Sequence, residues 1–291
     1  MANLRDIRRR IKSVKNTSQI TRAMQMVASA KMRRAQDQAV KGREYIKAIA
    51  NVLHHLQDEI DEEASPFLQA AEGDGDPLVL LVNTDRGLCG GLNINLFKHT
   101  REKAPENAHY ITIGRKLNVT LAKVGATLDA TWSIGDPLSL VELKPIFDFI
   151  VERYLDRTYG SVYIAFSGYV NTMVQRPVFK KLLPISTQEL ETVIKEEIQT
   201  ASAKPQPRFI LEPDANTLLN TILPLYVFYG LVQIVLEARA SEHSARMVAM
   251  KAATENAKGL IDSLTLDYNK ARQAQSTNEL LEITTAMKAM E

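Results

Sequence analysis

The chain has 291 residues, 45% of them hydrophobic, with 36 Lys and Arg against 34 Asp and Glu and a formal net charge of +2. That length holds one or two domains with a real core. A single cysteine, Cys89, excludes an internal disulfide and a cysteine-based zinc site and fits a reducing compartment, and none of the five histidines forms a helical i, i+4 metal pair.

The first element is a helix without Pro or Gly over Asn3–Gln36. Apolar or small residues recur at steps of three and four: Leu4, Ile7, Ile11, Val14, Ser18, Thr21, Gln25, Ala28, Met32, Ala35 and Ala39. The same steps continue through Gly42, Ile46, Ile49, Leu53, Leu56 and Ile60. Such a heptad seam predicts a coiled coil, roughly 85 Å long at 1.5 Å per residue. The helix is also cationic: Met1–Lys47 carries thirteen Lys and Arg against three Asp and Glu. A cationic rod points to an acidic partner, whether nucleic acid, membrane surface or an acidic protein groove, or else to a solvated outer face. Charges at Arg5, Asp6 and Arg8–Arg10 precede any apolar run, so no signal peptide is expected. Ser65-Pro66 ends the helix.

The middle of the chain changes period. PLVLLVN from Pro77 reads as a strand buried on both faces. A turn, TDRGLCGG, then leads to a helix over Leu92–Lys103. Strands follow at Tyr110–Ile113 and Thr127–Trp132, with a helix at Lys116–Val124 between them and another at Leu140–Arg157 beyond. Two alternating runs, Ser161–Tyr169 and Thr172–Leu183, form a hairpin. This order predicts a small α/β domain over 76–200 with a mostly parallel sheet and an antiparallel edge.

SAKPQPR connects to a second long helix within 209–291, with Asp214–Thr217 as its N-cap region. Leu218–Leu236 is a run of nineteen residues without a charge, which by length is a membrane-span candidate. Asn220, Pro224, Gly230 and Gln233 interrupt it and its heptad phase continues past it, so it reads as a helix buried on most of its circumference. The fold class expected is therefore an α/β insertion on a long antiparallel two-helix coiled coil, formed by the 1–64 helix and the C-terminal helix. Placing Ile60 opposite Leu218 makes paired residue numbers sum to roughly 278 at equal rise. The last fifteen or so residues then protrude alone.

The candidate chemistry is sparse. TDRGLCGG lacks the Gly-Lys-Ser/Thr of a phosphate loop and the spacing of a dinucleotide fingerprint, so it reads as a tight turn with Cys89 as a small buried residue. Glu242-His243-Ser244 is not a hydrolase triad, because adjacent helical residues point about 100° apart. The apolar seam runs through the region of Arg8–Arg10 instead of following it as in a basic zipper arm.

Three separated stretches resemble one family, the gamma subunit of F-type ATP synthases: IRRRIKSVKNTSQITRAMQMVASAKMRRAQ in the first helix, TDRGLCGGLNINLFK after the first strand, and ASEHSARMVAMKAATENAK with YNKARQAQSTNELLEI in the last helix. The resemblance implies a non-catalytic central-stalk rotor without a cofactor, nucleotide site or metal. It implies alpha and beta subunits as partners, three of each per copy, together with epsilon and the membrane c-ring. It implies proton transport coupled to ATP synthesis and hydrolysis, no nucleic acid and no membrane insertion, and a peripheral place on the cytoplasmic face of the bacterial inner membrane. Ring contacts carry over onto Met24, Lys31, Arg34, Arg246, Arg272, Gln273, Thr277 and Glu279, and foot contacts to the c-ring and epsilon onto Glu212 and Asp214. Lys31 and Arg34 also fit a solvated face, and Asp214 fits a helix cap equally well. The family pattern Ile-Thr-x-Glu has Ser276 in place of its Ile, and the tail reads TTAMKAME. The alternative function is a nucleotide-binding α/β protein on a coiled-coil scaffold.

Overall fold

The computed structural model describes residues 4–56, 65–68, 75–185 and 214–290. In chain order the elements are α1 (Leu4–Leu56), β1 (Asp76–Val82), α2 (Leu92–Lys103), β2 (His109–Ile113), α3 (Asn118–Lys123), β3 (Thr127–Trp132), α4 (Leu140–Leu155), β4 (Tyr159–Tyr169), β5 (Gln175–Leu183) and α5 (Ala215–Ala289). An α/β domain is thus inserted between two long terminal helices. The chain divides into two compact units, Met1–Ser29 with Arg246–Glu291, and Ala30–Ala245. The division falls inside both terminal helices, because each half of each helix packs with different neighbours.

The first unit is a pair of helix segments. Ile7, Thr21 and Ala28 of α1 are buried, as are Met250, Thr254 and Ala257 of α5. The intervening seam positions Leu4, Ile11, Val14, Ser18 and Gln25 are half-buried, and so are Ile261, Leu264, Tyr268 and Ala271. The predicted seam is therefore the packed face. The segments run antiparallel: the hydroxyls of Thr21 and Thr254 meet at 2.7 Å, and these numbers sum to 275. From Arg272 to Met290 every residue of the chain is exposed.

The second unit holds the sheet, in the order β3-β2-β1-β4-β5. β1 pairs parallel with β2 and β4, β2 pairs parallel with β3, and β4 pairs antiparallel with β5. Successive side chains of a strand point to opposite faces, and β1 feeds two cores accordingly. Leu78, Leu80 and Val82 join Ile146 and Ile150 of α4, Leu53 of α1 and Leu223, Leu231 and Val235 of α5. Val79 and Leu81 pack on the other face with Leu96 of α2, Leu121 of α3 and Leu117 just before it. Each such buried aliphatic side chain contributes about 1.5–3 kcal/mol. The antiparallel helix register recurs here: a Cβ on Gly42 would lie 3.0 Å from Gln233 Oε1, and the rings of Tyr45 and Tyr229 are 4.3 Å apart. Of Leu218–Leu236, long and apolar enough to cross a membrane by length and composition, only Asn220, Thr221 and Leu225 are exposed.

Candidate functional site

The strand order reverses between β1 and β4, and open α/β sheets bind ligands in the crevice at such a switch point. Here that crevice is occupied by the chain itself. Val82, Asn83, Thr84, Asn93 and Ser167 line it from the domain, and Arg239 and Glu242 of α5 close it, leaving about 10 Å³, room for one water. The adjoining turn is tied down from within. Asn93 Nδ2 donates to Thr84 Oγ1 at 2.8 Å, and Thr84 Oγ1 donates to the Arg86 carbonyl at 2.8 Å. Asp85 accepts from Ser133 Oγ at 2.9 Å and pairs with Arg115 at 3.3 Å. Gly114, at φ +99, lets β2 pass so close to β1 that a Cβ would meet the Asn83 carbonyl oxygen at 2.4 Å. Within the turn Cys89 is buried, whereas Leu88, at φ 64, is 61% exposed.

A polar cluster gathers beside this crest. Lys31 Nζ of α1 lies 2.8 Å from Asp136 Oδ2, and His243 Nε2 of α5 lies 3.0 Å from the same oxygen. Arg239 pairs with Glu242 at 3.0 Å and donates through Nη2 to the Ile134 carbonyl at 2.7 Å. Burial raises the Asp136 carboxyl, but the Lys31 hydrogen bond and the charges of His243, Lys31 and Arg239 outweigh it and hold the group below its usual range. Ser244 Oγ donates to the Thr172 carbonyl at 2.7 Å, which seats α5 against the β4–β5 turn. Glu242, His243 and Ser244 thus face three different partners, as the helical geometry requires, and form no relay.

The residues with family-derived roles are distributed over this framework as follows. On α1, Met24 and Lys31 are half-buried and Arg34 is exposed. In the first unit Ile20 and Val27, 60% and 55% exposed, flank Met24 at spacings of four and three beside the packed seam. On α5, Arg246 is half-buried, and Arg272, Gln273, Thr277 and Glu279 lie in the fully exposed segment. Their polar groups bond along the helix: Thr277 Oγ1 donates to the Gln273 carbonyl at 2.9 Å and Gln275 Nε2 donates to Glu279 at 2.9 Å. Asp214 caps α5. Its Oδ1 accepts from the Thr217 backbone N–H at 2.8 Å and its Oδ2 from the Thr217 hydroxyl at 2.7 Å, and these bonds lower its pKa. Glu212 lies outside the described residues. Sequence reasoning missed Asp136, Arg239 and the exposed Ile20 and Val27. For the last two a signal existed, namely apolar residues off the seam on a solvated helix.

A family model described as ATP synthase matches residues 3–290. The ATP synthase gamma chain of Akkermansia muciniphila is 72% identical over 294 residues, covering 100% of both chains. That of Methylacidiphilum infernorum is 42% identical over 295 residues, again with 100% of both covered. Among solved structures, a chain of the Euglena gracilis mitochondrial ATP synthase OSCP/F1/c-ring assembly in rotational state 3 superposes with a TM-score of 0.67. At 22% identity over 99% of this chain and 94% of that one, it speaks for the fold alone.

Proposed function

We propose that this chain, which belongs to the ATP synthase gamma-chain family, is the central-stalk rotor of a proton-translocating F-type ATP synthase. The observation that carries this reading is the segment from Arg272 to Met290. It is helical to Ala289 and exposed throughout, yet it bears Leu280, Leu281, Ile283 and Met287, each more than half exposed. A helix of about five turns that packs on nothing is marginal in water, and exposed apolar residues along it call for a partner that covers them. A surrounding ring of three alpha and three beta subunits supplies that cover.

The chain is non-catalytic in this reading. It acts because a shaft of low symmetry inside a threefold ring meets each beta subunit with a different face. The difference in contact free energy shifts each catalytic site toward a different conformation. Met24, Lys31, Arg34, Arg246, Arg272, Gln273, Thr277 and Glu279 are the proposed ring contacts. Seven cationic residues of the first unit's α1 segment, Arg5, Arg8, Arg9, Arg10, Lys12, Lys15 and Arg22, are all exposed and fit acidic loops on the ring. Glu212 and Asp214 are proposed for the foot, against the c-ring and epsilon; the Asp214 side chain also serves there as the helix cap. The complex is peripheral to the membrane, on the cytoplasmic face of the bacterial inner membrane. The switch-point crevice, filled by Arg239 and Glu242, weighs against the nucleotide-binding alternative. Co-purification tests the reading: one copy of this chain per three alpha–beta pairs is expected, and equal stoichiometry with beta overturns it.

A further inference from the structure

The loop Ile134–Asp136, between β3 and α4, is gripped from three helices at once. α1 reaches it through Lys31, 2.8 Å from Asp136 Oδ2. α5 reaches it twice, through His243 at 3.0 Å from the same oxygen and through Arg239 at 2.7 Å from the Ile134 carbonyl. α4 returns Glu142 to the Gly135 backbone N–H at 2.9 Å. The side chains of His243, Arg239 and Glu242 are 4%, 11% and 7% exposed, those of Asp136 and Lys31 are 27% and 40% exposed, and Glu142 is exposed. Arg239 pairs with Glu242, and Asp136 is the carboxylate that meets side chains of both α1 and α5.

Elsewhere α1 meets the domain through aliphatic side chains such as Leu53, and α5 does so through Leu223, Leu231 and Val235 and through two hydrogen bonds at the β4–β5 hairpin, from the Tyr169 N–H to Glu237 and from Ser244 to the Thr172 carbonyl; the Asp136 loop is where polar groups of both helices meet. Apolar packing resists separation, but it is non-directional and opposes sliding and rotation weakly. The Lys31 hydrogen bond to Asp136 and the Arg239 hydrogen bond to the Ile134 carbonyl are directional, and with the His243 ion-pair contact at the same carboxylate oxygen they allow few arrangements of the elements that carry them. A load that turns the shaft against the domain acts tangentially, the direction in which directional bonds matter most.

We infer that Asp136 is a positioning residue of the rotor, locking both terminal helices to the α/β domain so that torque passes between domain and shaft without slip. This rests on the rotor reading above. It makes no claim on ring contacts: Asp136 and His243 act inside the chain.

The test compares wild type, Asp136→Asn, Asp136→Glu and His243→Gln in the assembled complex in sealed vesicles. ATP hydrolysis and ATP-driven proton uptake are read on the same sample. Asp136→Asn is expected to keep hydrolysis per assembled complex while protons moved per ATP fall below the wild-type ratio, because losing one such contact shifts the balance toward the slipped state about fivefold. Asp136→Glu, which keeps the charge, restores most of the ratio. A merely structural role would lower the yield of complex and leave the ratio unchanged, and that result overturns the inference. If Asp136→Asn does not assemble, His243→Gln, which removes the ionisable partner at a similar size, is read by the same ratio. A wild-type chain found outside any proton-moving complex would overturn the rotor reading itself.

Discussion

Replacing the two buried threonines of the helix pair by valine gives the sharpest energetic test of the antiparallel register. Thr21 and Thr254 are 9% and 6% exposed, and their hydroxyls are 2.7 Å apart. Thr254 also donates to the Met250 carbonyl at 2.8 Å, and Thr21 has the Ser18 carbonyl at 3.1 Å. Two protons serve three contacts, so after either single substitution the remaining hydroxyl keeps a backbone acceptor. What each single substitution removes is the one interhelical bond, about 1 kcal/mol net. Valine preserves the branched shape, so packing changes little. Thr21→Val and Thr254→Val should each cost about 1 kcal/mol, and the double variant about the same 1 kcal/mol rather than 2, because both remove one bond. Amide hydrogen exchange within Ser18–Ala28 and Met250–Ala257 reads this as opening about fivefold faster in all three variants. Costs that add in the double variant would refute the pairing, and with it the register.

Gly114→Ala should destabilise the domain severely, since its Cβ would lie 2.4 Å from the Asn83 carbonyl oxygen at a φ of +99; a chain that melts like wild type contradicts that close approach. The depressed Asp136 pKa gives a pH signature: its stabilisation is complete above the unfolded value, near 3.8, and is lost as pH falls through the lower folded value. The stability gap between wild type and Asp136→Asn should therefore shrink as pH falls below about 4, by denaturant titration at each pH. Deleting Arg272–Glu291 should leave the melting of the isolated chain unchanged, because every described residue there is exposed; a drop of several degrees would mean that the segment packs on the rest.

The seam of α1 was legible because a 3.5-residue period survives any context. Every seam position from Leu4 to Leu53 is buried or half-buried. The strand and helix order of the domain was legible for the same reason, as periods switch between two and 3.6. The register came out three to four residues away, 275 from Gly42–Gln233 and 274 from Tyr45–Tyr229 against the expected 278. The expected anchor, Ile60 opposite Leu218, depends on where the two helices meet the domain, which the heptad period does not determine, and Ile60 lies outside the described residues. The Asp136 cluster was not legible at all. Lys31 and Asp136 are 105 residues apart, and nothing in a Gly-Asp-Pro loop announces its partners. Lys31 read as a cation on a basic face, a reading that sequence cannot separate from an internal ion pair. Asp214 was legible as a cap from Asp214-x-x-Thr217, because capping is decided within one turn.

The central claim is rotation, and the direct measurement is single-molecule. With the alpha–beta ring fixed to a surface and a bead attached through Cys89 replaced by Ser and a new cysteine at Val141, which is 79% exposed, added ATP should turn the bead in one direction with three dwells per revolution. A bead that stays still while the same complexes hydrolyse ATP would contradict the account.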